Sequence, residues 1–508
     1  ADLNFGGSGN VDMLNDTSLT LVDSAFDANS NALNFATQNV SIASNFTLLV
    51  SDEIDLDGAN GSGLSLAGLD ITLAANSSIQ DFNTGTNDAV NLSFVAANDI
   101  SFGNDADIFT TGGNSTVVAT GNFITAGNSS IQTGLGVISV TANDVDLVGK
   151  LTSESSSDAA ITVISSDQIA DSGNATIDME ASNGGVVLVA NNGIELDTQV
   201  ATLSLTNSVA GDVIIDEEDS LTISNLDIQG GDTTISALNG GNLSLSSDID
   251  LDGLNGSTLT LSATGDLDTV AGNQLTDNDT GTLDAVDINL VAGGEVFVRI
   301  NNTINSYGGD ITISAGGDFD TRNATFYNAG SGQIAVTAAD VSLVSSMISA
   351  SALSDAISIT SGNMIVDGGA AYVDVQASSG GAILQAANGI DVDTRVASLS
   401  VSNTTSGSVT IEEFDALELT TLAAAGDVSV TAGGVLTVPD TGLNIGTNDL
   451  SLTATDIVDV SGRILDLTAG ALALNTQTVG GSSTFNTTVT SLDLTNGGTN
   501  DVSIIETD

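Results

Sequence analysis

Apolar and polar residues alternate in short runs along this chain, and the runs keep breaking at Asn, Asp or Gly. They share one form: apolar-x-apolar-x-Ala, a corner, then apolar-x-apolar. It appears as Leu92-Ser-Phe-Val-Ala96 followed by Ile100-Ser-Phe102, and as Ile138-Ser-Val-Thr-Ala142 followed by Val145-Asp-Leu147. It returns as Ile311-Thr-Ile-Ser-Ala315 before Phe319, and as Ile334-Ala-Val-Thr-Ala338 before Val341-Ser-Leu343. A period of two marks a strand with one buried face. The pattern therefore predicts Ile138, Val140, Val145 and Leu147 inward, with Ser139 and Asp146 outward. Asn, Asp or Gly after the Ala predicts a tight corner that tolerates positive φ. The unit reads as strand, corner, strand, and no stretch carries a sustained helical period.

The corner is evenly spaced. Ala96, Ala119, Ala142 and Ser165 are 23 residues apart, with Ala190 25 later; Ala292, Ala315, Ala338, Ser361 and Ala386 repeat the series. A 23-residue unit cannot bury a core alone, but stacked on its neighbours it becomes one coil of a β-solenoid. A longer repeat lies above the coil. Asn191-Asn-Gly-Ile-Glu-Leu-Asp-Thr-Gln-Val-Ala201 matches Ala387-Asn-Gly-Ile-Asp-Val-Asp-Thr-Arg-Val-Ala397, and Gly85–Val90 matches Gly281–Val286, both 196 residues on. The expectation is an all-β, single-stranded parallel β-solenoid over residues 1–508, one continuous domain of about 2.5 copies of this 196-residue block. One segment occurs three times, at Thr202–Asp219, Ser398–Asp415 and Ser491–Asp508, with a weaker copy at Asp2–Asp16. The chain thus starts and stops near the same point of its repeat. That predicts ends that are not free, because bare coils invite pairing with another copy. Either the chain continues into a longer repeat protein, or copies stack head to tail.

Composition narrows the function. There are 65 acidic residues and five basic ones (Lys150, Arg299, Arg322, Arg395 and Arg463), for a net charge of -60. This balance excludes nucleic acid and anionic membranes as partners, since both need Lys/Arg patches. With no Cys and no His there is no disulfide, no thiolate metal site and no imidazole base. A hydrophobic fraction of 41% excludes an acidic disordered chain, and no apolar run is long enough for a membrane-spanning helix, so no membrane insertion is expected. The sequence predicts a protein that is not an enzyme and requires no cofactor. Its charge predicts that cations, divalent ones above all, support stability or lateral packing.

One local motif points to a metal. Asp248-Ile-Asp250-Leu-Asp252-Gly253 matches the opening of a calcium loop, but the twelfth position, where a Glu is required, is Leu259. Ile249 and Leu251 alternate with the acids, as in a strand with its charges outward. Two readings stand: a solvated strand face, which the alternation favours, or a Ca2+ or counterion site at Asp248, Asp250 and Asp252. Glu53-Ile-Asp55-Leu-Asp57-Gly58 is a second copy. The clusters Asp216-Glu-Glu-Asp219 and Glu412-Glu413 are expected in outward loops; a carboxylate pair also suggests glycosidase chemistry. A lyase on this scaffold would need basic residues near its substrate's carboxylate, and five cations spread over 508 residues do not assemble that.

The coils ISVTANDVDL, INLVAGGEVFV and ITISAGGDFDT, with LTISNLDI, resemble repeats of filamentous-haemagglutinin-like large exoproteins. The resemblance covers nearly the whole chain and implies a right-handed β-helix on a bacterial surface, often exported by two-partner secretion. The family's secretion domain is not recognisable, and its repeats carry no catalytic residues. The resemblance implies an extracellular or cell-surface fibre, stalk or biofilm-matrix filament whose partners are other copies of itself, stacked head to tail or laterally. The alternative is an adhesin rod that presents or forms a surface for glycans or proteins of a host or neighbouring cell. A carbohydrate-active β-helix enzyme is the remote third class.

Overall fold

The computed structural model describes residues 11–15, 19–21, 39–51, 53–55, 63–80, 90–173, 177–251, 256–270, 272–276, 285–299, 302–321, 326–369, 373–439, 441–459, 465–476, 483–498 and 502–507. Every regular element among them is a β-strand, and the pairings between coils are parallel, so each unit of the chain is a β-solenoid. Among the described residues no helix is long and apolar enough to cross a membrane. The chain divides into two compact units, residues 1–247 and 248–508.

In the first unit a coil has three strands and so three faces. The first face stacks Gly63–Gly68, Asn91–Ala96, Ser115–Ala119, Ile138–Ala142 and Ile161–Ser165. The second stacks Ile71–Leu73, Ile100–Phe102, Phe123–Thr125, Val145–Leu147 and Ile169–Ala170. The third stacks Ser78–Gln80, Asp107–Phe109, Ser130–Gln132 and Lys150–Thr152. Ile138, Val140, Val145 and Leu147 are fully buried, whereas Ser139 and Asp146 are half-buried. The expected inward and outward sets are therefore the observed ones. Phe94, Phe102 and Phe123 add an edge-to-face column inside, at centroid distances of 6.4 and 5.5 Å.

Coil length varies more than the sequence spacing predicts. Ser115 pairs with Ile138 and Ile138 with Ile161, each 23 residues on. Leu64 pairs with Leu92, 28 on, while Val186 pairs with Leu203, only 17 on. The shortening comes from two long strands. Met179–Ala190 covers the third face (Leu151↔Met179) and then the first (Ile161↔Val186). Ile194–Asn207 begins on the second face (Ile169↔Ile194), crosses the third and ends on the first.

The second unit is built the same way. Its first face stacks Thr258–Ala263, Asp287–Ala292, Ile311–Ala315, Ile334–Ala338 and Ile357–Ser361, and its long strands are Val375–Ala386 and Ile390–Asn403. Beyond them the Ala-ended motif changes face. Val428–Ala432 and Leu450–Ala454 stack in the column of Ile365, Ile390 and Val409, the second face.

Two expectations need correction. The coil has a third strand that the two-strand unit lacks. Positive φ follows the Ala at some corners, as at Gly193 (φ 115°) after Ala190 and Gly389 (137°) after Ala386, but in the 23-residue coils it falls elsewhere: Asn76 (61°), Asp105 (56°) and Asn128 (58°) turn the corner between the second and third strands. Glycine matters most at the third corner, for room. A Cβ on Gly136 would lie 2.1 Å from the Gly113 carbonyl oxygen, and one on Gly113 1.8 Å from that of Val90.

Candidate functional site: acids between the coils

Much of the acidic surface serves the stack. Where a strand begins, the backbone N–H of one coil is met by a corner side chain of the coil before. Asn91 Oδ1 accepts from Asn114 N–H at 2.9 Å, and Asn114 Oδ1 from Val137 N–H at 3.0 Å. The positions 196 residues on hold carboxylates in the same role: Asp287 accepts from Asp310 N–H and Asp310 from Gln333 N–H, both at 2.7 Å. Asp427 and Asp449 continue the device at 2.9 and 2.8 Å. A charge-assisted acceptor satisfies an amide the ladder would leave open.

Two acids expected in outward loops are instead inside. Glu217 has no exposed surface and Glu413 is 4% exposed. They close the strands Val213–Glu217 and Val409–Glu413, at the inward position that Ala237 and Ala432 fill one coil later. No strand of the next coil pairs with residues 199–201. Glu217 fills that gap, accepting from Val200 N–H at 3.0 Å and Thr198 Oγ1 at 2.8 Å. Glu413 does the same for Val396 N–H at 3.1 Å and Thr394 Oγ1 at 2.8 Å. Burial pushes both carboxyls up to about 7 against these hydrogen bonds, which pull the other way. The signal was present: period two from Val213 and Ile215 points Glu217 inward.

A second acid group lies where the second face hands over to the third. Asp171 follows Ile169–Ala170, Asp178 precedes Met179–Ala190, and Asp197 lies in Ile194–Asn207. One carboxylate oxygen from each lies within 4.8 Å of the others. Asp178 is 1% exposed. Its backbone N–H donates to the Asp197 carbonyl at 2.8 Å, and its Oδ2 accepts from Asp197 N–H at 2.8 Å. Among the described residues its Oδ1 has no hydrogen-bond partner. Burial pushes the Asp178 carboxyl up to about 8; the Asp197 N–H opposes this, and the Asp171, Asp197 and Asp146 carboxylates add to it. The second unit repeats the frame: Asp374, also 1% exposed, donates to the Asp393 carbonyl at 2.8 Å and accepts from Asp393 N–H at 3.0 Å. Burial raises Asp374 to about 8, and Asp367 and Asp393 push the same way.

The motif at Asp248 stands apart from these groups. Ile249 and Leu251 are buried and Asp248 is exposed, with its Oδ1 accepting from Gln274 N–H at 2.9 Å. Asp252, and the side chain of Asp250, lie outside the described residues, as does Asp57 of the second copy. Of the five basic residues, Lys150 pairs with Glu180 (2.5 Å), Arg299 with Asp268, and Arg395 with Asp415 (3.4 Å); Arg322 and Arg463 are outside the described residues. All three pairs are surface pairs of small energetic weight. The chain matches no family model, no curated protein and no solved structure.

Proposed function

We propose that this chain is the structural repeat region of an extracellular bacterial surface fibre, stalk or matrix filament, similar in kind to filamentous-haemagglutinin-like exoproteins, and that it is not an enzyme. The observation that carries this reading is the use made of the polar groups. Corner Asp and Asn side chains, and the buried Glu217 and Glu413, accept hydrogen bonds from neighbouring coils, so their chemistry is spent on continuing the stack. A scaffold that devotes its acids to coil-to-coil contacts suits extension and mechanical continuity. Its charge suits an aqueous exterior with abundant counterions.

The adhesin reading draws on one feature of the second unit. A groove of about 460 Å³ is lined by Thr410, Ser429, Ser451, Asp449 and Asp493 beside Leu450 and Leu472. Its hydroxyls and carboxylates suit sugar hydroxyl groups, but its lining includes no aromatic ring on which a sugar would stack. Electron microscopy of native material separates the two readings. Regular multi-subunit filaments, or fibres continuous with the cell surface, are expected. Solitary rods that bind a glycan array and lose binding on substitution of Asp449 and Asp493 would replace the structural reading with the adhesive one.

A further inference from the structure

We propose that Asp171, Asp178 and Asp197 bind a divalent cation of the calcium class. The first argument is geometric. Calcium binds oxygens at about 2.3–2.6 Å, so ligands across one ion stand up to about 5 Å apart; magnesium, at about 2.0–2.1 Å, brings them to about 4 Å. Three carboxylate oxygens lying within 4.8 Å of one another fall inside the span that one such ion bridges. The ligands are hard oxygens, in a chain with no His or Cys to favour a softer metal.

The second argument is the state of Asp178. Its carboxylate is 1% exposed, its Oδ1 has no partner among the described residues, and it faces two further carboxylates. An unpaired buried carboxylate is costly, and neighbouring negative charge raises that cost. The described ion pairs place Lys150, Arg299 and Arg395 on other acids. A cation at the meeting point of the three carboxylates would satisfy the open oxygen and balance the charge together.

The third argument is the copy. The reciprocal backbone bonds between Asp178 and Asp197 recur between Asp374 and Asp393. The turn after the first acid recurs as well, with Gly173 N–H on Asp171 Oδ1 at 2.5 Å and Gly369 N–H on Asp367 Oδ1 at 2.7 Å. The surroundings differ: Ser172, Gln199 and Asp146 correspond to Gly368, Arg395 and Ser342. The three acids and their backbone frame stay while their neighbours change, although only in the first unit do the three carboxylates gather within 4.8 Å of one another.

The test is calorimetric titration of the metal-stripped full chain with calcium chloride, in physiological potassium chloride with excess magnesium to occupy diffuse counterion sites. The expected result is saturable binding at one site per chain, with a calcium-dependent rise in melting temperature. Asp178→Asn should lose both binding and the thermal shift, while Asp374→Asn should keep both. If Asp178→Asn does not fold, the half-exposed Asp171→Asn and Asp197→Asn take its place, each expected to weaken the site at least tenfold. Only non-saturating uptake, or binding unchanged in these variants, would overturn the proposal. So would a wild type and an Asp178→Asn protein that both melt identically with calcium and with chelator, the behaviour of a carboxyl that is simply protonated.

Discussion

Glu217 and Glu413 make the stability of this fold depend on pH in a direction opposite to that of most acids. An ordinary carboxylate gains partners on folding, and its contribution is lost as acid is added. Here burial raises both carboxyls from 4.5 to about 7. Between those values the folded protein binds more protons than the unfolded chain, so stability is highest below about 4.5 and falls as pH rises through about 7. At about 1.4 kcal/mol per pH unit, the gap corresponds to about 3 kcal/mol per site above neutral pH. Glu217→Gln keeps an acceptor for Val200 N–H and removes the charge at every pH. The assay is urea denaturation of wild type, Glu217→Gln and Glu413→Gln from pH 4.5 to 8.5 in chelator at constant ionic strength. Hydrogen exchange at the Val200 and Val396 amides provides a local readout in each unit. Each variant should gain about 3 kcal/mol on the wild type across that range, most of it between about pH 4.5 and 7, with a plateau above. Asp178 and Asp374 titrate alike in all three proteins and cancel from the comparison. A variant that tracks the wild type at every pH, or one that loses ground as pH rises, refutes the account.

Three further outcomes follow from the packing and the ladder. Phe123→Ala removes a fully buried ring from the aromatic column and should cost about 3–5 kcal/mol in denaturation of the first unit. Gly136→Ala should cost at least about 2 kcal/mol because the new Cβ meets the Gly113 carbonyl; Gly240→Ala, with open space but φ +83°, should cost only about 1 kcal/mol in the same melts. Asp310→Ala should cost about 1 kcal/mol by leaving Gln333 N–H to water, while Asp310→Asn should change stability by less than about 0.5 kcal/mol, since Asn114 does the same work at the matching position.

The strand pattern was legible because it is local. Alternation around Ala142 placed Ile138, Val140, Val145 and Leu147 correctly, since a strand exposes its faces with a period that any few residues display. The third strand of each coil was not legible. Asp107–Phe109 and Ser130–Gln132 are three residues long with one buried apolar side chain each, too short to show a period. The acid sites divide the same way. Glu217 lay in phase with Val213 and Ile215, and only the habit of placing charge outside hid it. Asp171 and Asp178 flank one corner and Asp197 comes from the next coil, so their meeting depends on stacking register rather than on any motif. The motif that resembled a metal site, at Asp248, is local: Ile249 and Leu251 point inward and Asp248 outward, as the alternation alone predicts.

The change of face by the Ala-ended motif has a consequence for what the outside of the second unit displays. Before the long strands, Ser358 and Thr360 look outward from the first face; after them, their counterparts Ser429 and Thr431 look outward from the second. The same chemical pattern therefore appears at a new bearing around the perimeter after each such passage. A partner that ran straight down one side would meet a changing text, whereas one that wound around the unit would read the same line again.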